Sequence, residues 1–258
     1  IIGDETVIPP PTAIYSHNHD GNYHEHQCTY TDSEHNYYST KYTDDLFNRN
    51  FSVGRILVDS NQDALEQIDK IENYILDFDS GIWKNKVLLI ADDENNPQEP
   101  NSEEEFKHTT YTNTIYTNHL EDKTIVNILY GTHYKNQQSR FTDMIINTIN
   151  SGVGLINYIG HGSLNHLAHE DIFILDRDVG LITTNNRPPI WVVGTCSFGE
   201  YKNNEHEISF AEELLKRPDA AIAIIATTEG VTPGINFSYL DNLYSELSSY
   251  LDSDIPLL

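Results

Sequence analysis

The sequence predicts an α/β fold with a mostly parallel sheet and helices on both faces. Two long apolar runs carry this prediction; one begins at Val153 and the other at Ile190. Neither run alternates apolar with polar residues, which is typical of strands buried on both faces of a parallel sheet. Such runs also alternate with helical patterns along the chain, and this favours strand–helix–strand units.

The predicted strands are short apolar segments bounded by polar or turn residues. They cover Phe51–Val58, Lys86–Ala91, Thr124–Leu129, Val153–Ile159, the run from Ile190, and Ala220–Ala226. Because parallel strands need long crossover connections, the stretches between these segments are expected to contain the helices.

The predicted helices carry apolar residues three and four positions apart. Ser60 is expected to cap the first helix. Its apolar stripe consists of Leu65, Ile68, Ile71, Ile75 and Phe78. The other helices are predicted after Asn101-Ser102, around Phe141–Ile149, over Phe210–Lys216 and near Tyr239–Leu251.

Residues 12–50 differ in kind, because they are rich in His, Tyr, Asn, Asp and Thr and contain no long apolar run. We expect a polar excursion at the edge of the sheet, with short hairpins. Its paired histidines could share a metal ion, but their spacing matches no zinc pattern, so a solvent-facing loop is the favoured interpretation. They are His17, His19, His24 and His26. Residues 1–258 are interpreted as one domain from a longer protein, because both ends look cut.

The charge of the chain excludes several kinds of partner. Forty acidic residues against fifteen Lys and Arg give a formal net charge of −25. Such a chain cannot neutralise phosphates, so neither nucleic acid nor an anionic membrane surface is expected as a partner. The charge is compatible with basic substrates or bound calcium. No run approaches the length of a transmembrane helix, so no membrane span is predicted in this segment.

Each of the two long apolar runs stops at a reactive residue. His161 follows the first and Cys196 the second, and the separation of 196 − 161 = 35 residues leaves room for one crossover. Ligands of open α/β sheets bind beyond the carboxyl ends of the strands, so both side chains are expected at one site. The sequence predicts a cysteine nucleophile activated by histidine, with the N–H groups of Gly162 and Cys196 as an oxyanion hole. The alternatives are an inert buried cysteine and a tight turn at the histidine.

Two motifs resemble those of the gingipain-type cysteine peptidases, a family of the caspase-like clan. The segment Gly152–Ser163 is similar to the histidine motif of the family, and Pro188–Gly199 is similar to its nucleophile motif. Further matches follow in order over nearly the whole chain, at Ile1–Asp4 with Ile8-Pro9, at Val53–Arg55 and at Ala221–Thr228. The resemblance extends to the sortase-like peptidase of the type IX secretion system, which shares the domain of this family. The resemblance implies a caspase-like fold and an endopeptidase.

The resemblance also implies catalytic roles for individual residues. His161 would be the general base and acid, and Cys196 would be the nucleophile. Glu94, or next to it Asp93, would orient the histidine and stabilise its imidazolium form.

Substrate recognition is implied in the same way. Glu105, or equally Glu104, would pair with an Arg or Lys of the substrate, because a carboxylate binds guanidinium through two hydrogen bonds. Thr228 would line the same substrate site. Two departures from the family concern specificity: Leu164 replaces an acid, and Glu229–Pro233 replaces an aromatic-containing loop.

The remaining implications concern cofactors, partners and setting. No cofactor is required for this chemistry. The acidic segment Asp92–Glu94 could hold structural calcium, which relatives bind, although the chain has no Asp-rich loop of the helix-loop-helix calcium spacing. A polypeptide substrate, a secreted or cell-surface location and further domains of the same chain are also implied. The alternative function is a catalytically inactive caspase-like scaffold or binding domain. A flavodoxin-like phosphate binder is disfavoured, since no glycine-rich turn follows the first strand.

Overall fold

The computed structural model describes residues 12–19, 22–29, 54–76, 81–93, 106–201 and 208–251, the first two ranges by their backbone. Contacts between Cα atoms divide the chain into two compact units, residues 1–67 and residues 68–258.

The first unit contains an antiparallel hairpin. Its strands are β1, Thr12–His19, and β2, Asn22–Thr29. In the register of the ladder, His17 lies opposite His24. A hairpin within residues 12–50 agrees with the sequence, while residues 30–50 of the predicted excursion lie outside the described part.

The strand predicted over Phe51–Val58 is not formed in its described part. Over residues 54–58 only Ile56 makes a bridge. Gly54 has no side chain that could pack against a neighbouring strand, and a glycine weakens strand pairing.

The second unit contains the strands predicted from the apolar runs and two short additional strands. They are β3 Lys86–Ala91, β4 Ile125–Tyr130, β5 Leu155–Ile159, β6 His166–Leu167, β7 Phe173–Ile174, β8 Ile190–Gly194 and β9 Ala223–Ala226. Five of them form one parallel sheet in the order β4-β3-β5-β8-β9. The other two, β6 and β7, pair as a small antiparallel ribbon.

The helices alternate with the strands along the chain, as the pattern predicts. The first helix precedes β3, the last follows β9, and the others lie between strands in the sequence. The described helices are α1 Asn61–Leu76, α2 Lys107–Ile115, α3 Gln138–Asn150, α4 Leu175–Asp178, α5 Phe210–Lys216 and α6 Pro233–Leu251. Short 3₁₀ turns cover Ile82–Asn85, Gly131–Tyr134 and Val179–Leu181, and a π-helical turn, Tyr116–Leu120, follows α2.

The sheet is covered on both faces, which is visible in the alternation along β3. Leu88 and Ile90 belong to one buried apolar cluster, whereas Val87 and Leu89 belong to a second. The first cluster includes Phe141, Ile145 and Ile149 of α3 with Phe210 and Leu214 of α5. The second includes Ile115 of α2 with Leu240 and Tyr244 of α6. The predicted α/β fold with helices on both faces of a mostly parallel sheet is confirmed.

The order of the strands places a switch point between β3 and β5. From β3 the chain moves outward to β4, then returns to β5 on the other side of β3 and continues to β8 and β9. Helical connections therefore diverge between β3 and β5, and the ends of these strands border a crevice. In open α/β sheets this crevice, beyond the carboxyl ends of the strands, is where ligands bind.

Most of the apolar stripe predicted for α1 faces outward. Among its described residues only Ile71 is half-buried, and Phe78 lies outside the described part of the chain. Leu65 is 57% exposed, Ile68 is 42% exposed and Ile75 is 63% exposed, whereas Lys70 is half-buried on the opposite side. The inward face contains polar groups, so hydrophobic spacing alone selected the wrong side. The cap was predicted correctly, since Ser60 Oγ accepts a hydrogen bond from the Asp63 N–H at 3.1 Å.

Lys70 explains why a cation lies on the inward face of α1. Its ammonium donates to the main-chain oxygens of Leu215, Arg217 and Ala221, at 3.2 Å to Arg217 and 3.0 Å to Ala221. Two of these oxygens lie at the carboxyl end of α5, where the helix dipole favours positive charge. Burial lowers the pKa of Lys70 to about 8, and the side chain is still mainly protonated at neutral pH.

We predict that Lys70→Met lowers the free energy of unfolding by about 1–3 kcal/mol, because it removes the charged hydrogen bonds from Lys70 to three main-chain oxygens. Urea denaturation measures the loss. Asn73→Met, on the exposed side of the same helix, is the matched control and should change stability by less than about 0.5 kcal/mol. Equal effects of the two substitutions would contradict the assigned role of Lys70.

Candidate active site

His161 and Cys196 occupy equivalent positions at the ends of neighbouring strands. Ile159 of β5 pairs with Gly194 of β8, and each reactive residue comes two positions later. The Gly160 N–H donates to the Gly194 oxygen at 3.3 Å, which extends the ladder past the pair. Neighbouring strands lie about 4.8 Å apart. The two residues that the sequence singled out are therefore brought to the same edge of the sheet.

Glycines on both sides of His161 allow its segment to pack closely. A Cβ atom at Gly160 would clash with the side chains of Tyr158 and Asp92. A Cβ atom at Gly162 would lie 2.7 Å from Thr195 Oγ1, in the segment that carries the cysteine. The two strand ends thus touch through backbone and small side chains, as the Gly-His-Gly pattern implies.

The main chain of His161 is held from two directions. Tyr158 Oη donates to the His161 oxygen at 2.6 Å. The His161 N–H donates to Asp92 Oδ2 at 3.0 Å, and Asp92 follows β3 directly. These bonds fix the backbone of the histidine at the switch point between β3 and β5.

Sequence reasoning considered Asp92 only as part of an acidic loop that could hold calcium, and it missed the role of this residue beside His161. Its side chain is almost fully buried, and Oδ1 accepts a second hydrogen bond from the Asp93 N–H at 2.7 Å. Burial, with smaller effects of Glu170 and Asp93, raises the pKa of Asp92 to about 8, although the two backbone hydrogen bonds oppose the shift. The available signal is its place as the first polar residue after a buried strand, whereas the family resemblance directs attention to Glu94 and Asp93.

Two further histidines surround the imidazole of His161. The ring of His108, from α2, lies edge-on to it with 5.1 Å between ring centroids, and the ring of His169 lies at 4.2 Å. His108 is buried, and burial lowers its pKa to about 3, so its ring is neutral at neutral pH. Burial, and then the neighbouring His169, lower the pKa of the half-buried His161. A neutral imidazole is the form that can accept a proton.

Cys196 is a free, half-buried cysteine in a sharply turned segment. The Val231 N–H donates to Cys196 Sγ at 3.4 Å, and Sγ lies 3.6 Å from the Val231 oxygen. Ser197 has a φ of 52°, and its N–H donates to the Glu229 oxygen at 3.2 Å. The segment after β9 therefore supports the thiol.

The N–H groups of Gly162 and Cys196 lie in the two segments that carry the reactive side chains. Neither donates a backbone hydrogen bond to a described residue. Both therefore remain available to a ligand oxygen as far as the described backbone is concerned. Thr228, predicted to line the substrate site, lies half-buried in the segment that supports Cys196.

Three predicted site residues cannot be compared with this geometry. Glu94, Glu104 and Glu105 fall in residues 94–105, outside the described part of the chain. Their roles remain predictions. Asp93, the second choice for the orienting acid, is buried next to Asp92.

Side chains that could hold a metal ion form two groups around Asp92. Asp92, Asp93 and Glu170 bring carboxylate oxygens within 4.8 Å of one another, and Asp92, His108 and His161 do the same with one oxygen and two nitrogens. The structural calcium expected from the family resemblance remains a prediction.

A parallel α/β sheet with a histidine and a free cysteine at adjacent strand ends is the arrangement of a caspase-like cysteine peptidase domain. The model of Peptidase family C25 matches residues 1–255, and the chain belongs to this family. Gingipain R2 of Porphyromonas gingivalis strain W83 is 29% identical over 190 residues, which are 71% of this chain and 24% of that protein. Gingipain R1 of the same species is 28% identical over 71% of this chain and 18% of its own length.

Solved structures support the fold. The Arg-specific cysteine proteinase gingipain R superimposes with a TM-score of 0.70 at 23% identity, covering 96% of this chain and 52% of that chain. The complex of the RgpB pro- and mature domains of Porphyromonas gingivalis gives a TM-score of 0.67 at 23% identity, covering 99% of this chain and 54% of that chain. This chain spans about a quarter or less of the length of the curated gingipains it matches. Among the described helices, none combines the length and apolar character needed to cross a membrane.

We predict that Gly162→Ala lowers the free energy of unfolding by about 1–3 kcal/mol, because the new methyl group presses on Thr195. Urea denaturation measures the loss. Gly180→Ala is the control, since a Cβ atom there would meet only an arginine side-chain nitrogen at 3.9 Å.

The cause can be tested with a double-mutant cycle. Thr195→Ala removes the side-chain atoms that the new methyl group at position 162 would strike, so Gly162→Ala should cost clearly less in that background. If the cost is the same with and without the Thr195 side chain, close packing of the two strand ends is not the reason for the glycine.

Proposed function

We propose that this chain is the catalytic domain of a cysteine endopeptidase that uses Cys196 and His161. The observation that carries the proposal is their equivalent position, two residues past the Ile159–Gly194 pair on neighbouring parallel strands. Membership of Peptidase family C25 agrees with this assignment.

In the proposed reaction His161 accepts the thiol proton while Cys196 Sγ attacks the carbonyl carbon of the scissile peptide bond. The N–H groups of Gly162 and Cys196 donate to the developing oxyanion. His161 then gives the proton to the leaving amine, and an acyl-enzyme with a thioester at Cys196 remains. Attack by water or by an acceptor amine releases the acyl group and restores the thiol.

Two acids assist His161 in this proposal. Asp92 holds the main chain of the histidine through Oδ2, which supports a positioning role. Glu94 is assigned to the imidazole itself, as the family resemblance implies, where it would fix the tautomer and stabilise the imidazolium.

The proposed substrate is a polypeptide with a basic residue before the cleaved bond. Glu105, with Glu104 as the alternative, would pair with the cation of that residue, and Thr228 would line its pocket. One of the structurally similar proteins, gingipain R, is an Arg-specific cysteine proteinase, which supports this choice of substrate. The net charge of −25 would also favour the approach of basic substrates.

The proposed setting follows from the relatives. The matched gingipains are several times longer than this chain, which supports the presence of other domains in the same protein. A secreted or cell-surface location is part of the proposal because the family resemblance implies it.

We predict that peptidyl electrophiles with Arg or Lys at the specificity position label this protein, and that a matched Asn electrophile labels at least tenfold more slowly. Mass spectrometry should place the adduct on Cys196. Cys196→Ala and His161→Ala should each abolish labelling, whereas Cys28→Ser, which removes the other cysteine of the chain, should leave it intact.

Other results would separate the alternatives. Labelling by the Asn electrophile alone would keep the nucleophile and reject Glu105 and Glu104 as the specificity acids. A folded protein that none of the probes labels would favour the catalytically inactive scaffold.

A second prediction concerns pH. Burial and, to a smaller extent, the charge interaction with His169 lower the pKa of His161, so His169→Asn should raise the pKa of His161. A base with a higher pKa stays protonated up to a higher pH, and the acidic limb of kcat/KM should therefore move upward by a few tenths of a pH unit.

The matched control for this measurement is His119→Asn. His119 is paired with Asp241 at 2.7 Å on other elements of the fold. If both substitutions move the acidic limb equally, or if His169→Asn moves it downward, the interaction between His169 and His161 does not set the pH dependence.

A further inference from the structure

A group of metal-binding side chains surrounds the proposed catalytic histidine. Asp92, His108 and His161 each present one potential ligand atom, and these three atoms all lie within 4.8 Å of one another. Three separate elements supply them: the end of β3, helix α2 and the end of β5. Two imidazoles and one carboxylate are a donor set typical of Zn²⁺ in proteins.

Two of the three donors are held in place by the fold. The carboxylate of Asp92 accepts two backbone N–H groups, and each of its oxygens keeps a further lone pair for a cation. His108 is 3% exposed and is carried by a helix packed against the sheet. His161 is only half-buried, so it is the donor that can rotate and that a cation can reach first.

The distances permit closure around an ion. In a tetrahedral zinc site with ligand distances near 2.0–2.1 Å, neighbouring ligand atoms lie roughly 3.3 Å apart. The longest separation here is at most 4.8 Å. Closure around an ion therefore requires the His161 imidazole to move toward the other two donors.

The surrounding charge favours a divalent cation. Carboxylate oxygens of Asp93 and Glu170 lie within 4.8 Å of an Asp92 oxygen, so three acidic groups converge on one side of the group. A dication between Asp92 and the imidazoles reduces the repulsion among them. Nitrogen ligands discriminate against Ca²⁺ and Mg²⁺, which prefer oxygen.

We infer that Asp92, His108 and His161 form a binding site for Zn²⁺, and that the bound ion blocks the reaction by occupying the imidazole that accepts the thiol proton. The binding part of this inference is independent of the proposed function, whereas the inhibition part rests on it. Three protein ligands leave the fourth position of a tetrahedral ion open.

Binding is tested in the Cys196→Ala background, so that no active-site thiolate can serve as a ligand. Isothermal titration with Zn²⁺, and the absorption spectrum of Co²⁺ as a probe of coordination, should show a tight site. Asp92→Asn, His108→Gln and His161→Gln should each weaken it at least tenfold. Circular dichroism establishes that each variant is folded, and any one folded variant is sufficient for the test.

Two controls address other histidines. His119→Gln removes a histidine that also faces a carboxylate, at 2.7 Å from Asp241. The double variant His17→Gln, His24→Gln removes the facing pair of the hairpin. Both should bind Zn²⁺ as tightly as the parent. Loss of the tight site in either control, or its retention in His108→Gln, would overturn the inference.

Competition with Ca²⁺ separates this site from the neighbouring carboxylates. Excess Ca²⁺ should leave Zn²⁺ binding unchanged, and displacement by Ca²⁺ would assign the ion to Asp92, Asp93 and Glu170 instead, against the inference.

Inhibition is measured with the intact thiol. Micromolar Zn²⁺ should slow labelling by the basic electrophile, and a chelator should restore it. The ratio of labelling rates with and without Zn²⁺ should approach one in His108→Gln. If the parent protein is not labelled at all, but the ligand variants bind Zn²⁺ more weakly than the parent, the proposed function fails and the metal site stands. If labelling is normal and Zn²⁺ inhibits His108→Gln as strongly as the parent, the metal site fails alone.

Discussion

The parallel pairing of β3, β5 and β8 is the constraint on which the candidate site depends. Ile159 pairs with Ala91 on one side and with Gly194 on the other, so the three strands end at one level. Each strand then delivers a functional group within two residues: Asp92 after β3, His161 after β5 and Cys196 after β8. Because the rigid sheet fixes the strand ends, it also sets the spacing of the three groups, and the loop after β9 supports the Cys196 thiol.

The carboxyl ends of β5 and β8 lie so close together that few residue types fit there. Glycines flank His161 because its neighbours leave no room for side chains, and Thr195 lies against Gly162. A small displacement of either strand end would change the distance between the proposed nucleophile and the proposed base, and such displacements are costly for catalysis. The packing of the strand ends is thus part of the chemical arrangement.

Sequence reasoning predicted the sheet because its signals are local. A run such as Val153–Ile159 is apolar without alternation, and only a strand covered on both faces explains it. The same reasoning found His161 and Cys196, since a reactive residue that ends a buried strand stands out. The orientation of α1 was not predictable in this way, because Lys70 lies inward to reach carbonyl oxygens from a distant segment.

Asp92 and His108 show a second limit of sequence reasoning. A carboxylate after a strand resembles a solvated loop residue until the order of the strands is known, and here that order places β5 beside β3. His108 resembles an ordinary helical histidine until α2 is packed near the end of β5. Tertiary contacts, which no local pattern encodes, give both residues their environment.

The burial of Asp92 bears on why this arrangement persists. Removing a carboxyl group from water is unfavourable, and its pKa is raised to about 8 for that reason. Two backbone N–H bonds offset part of the cost, yet an apolar residue would avoid it altogether. What the carboxyl group provides in exchange is a fixed main chain at His161 and an oxygen close to the imidazoles of His108 and His161. A locally unfavourable choice that organises the reactive residue is typical of a functional site, where local stability is exchanged for geometry.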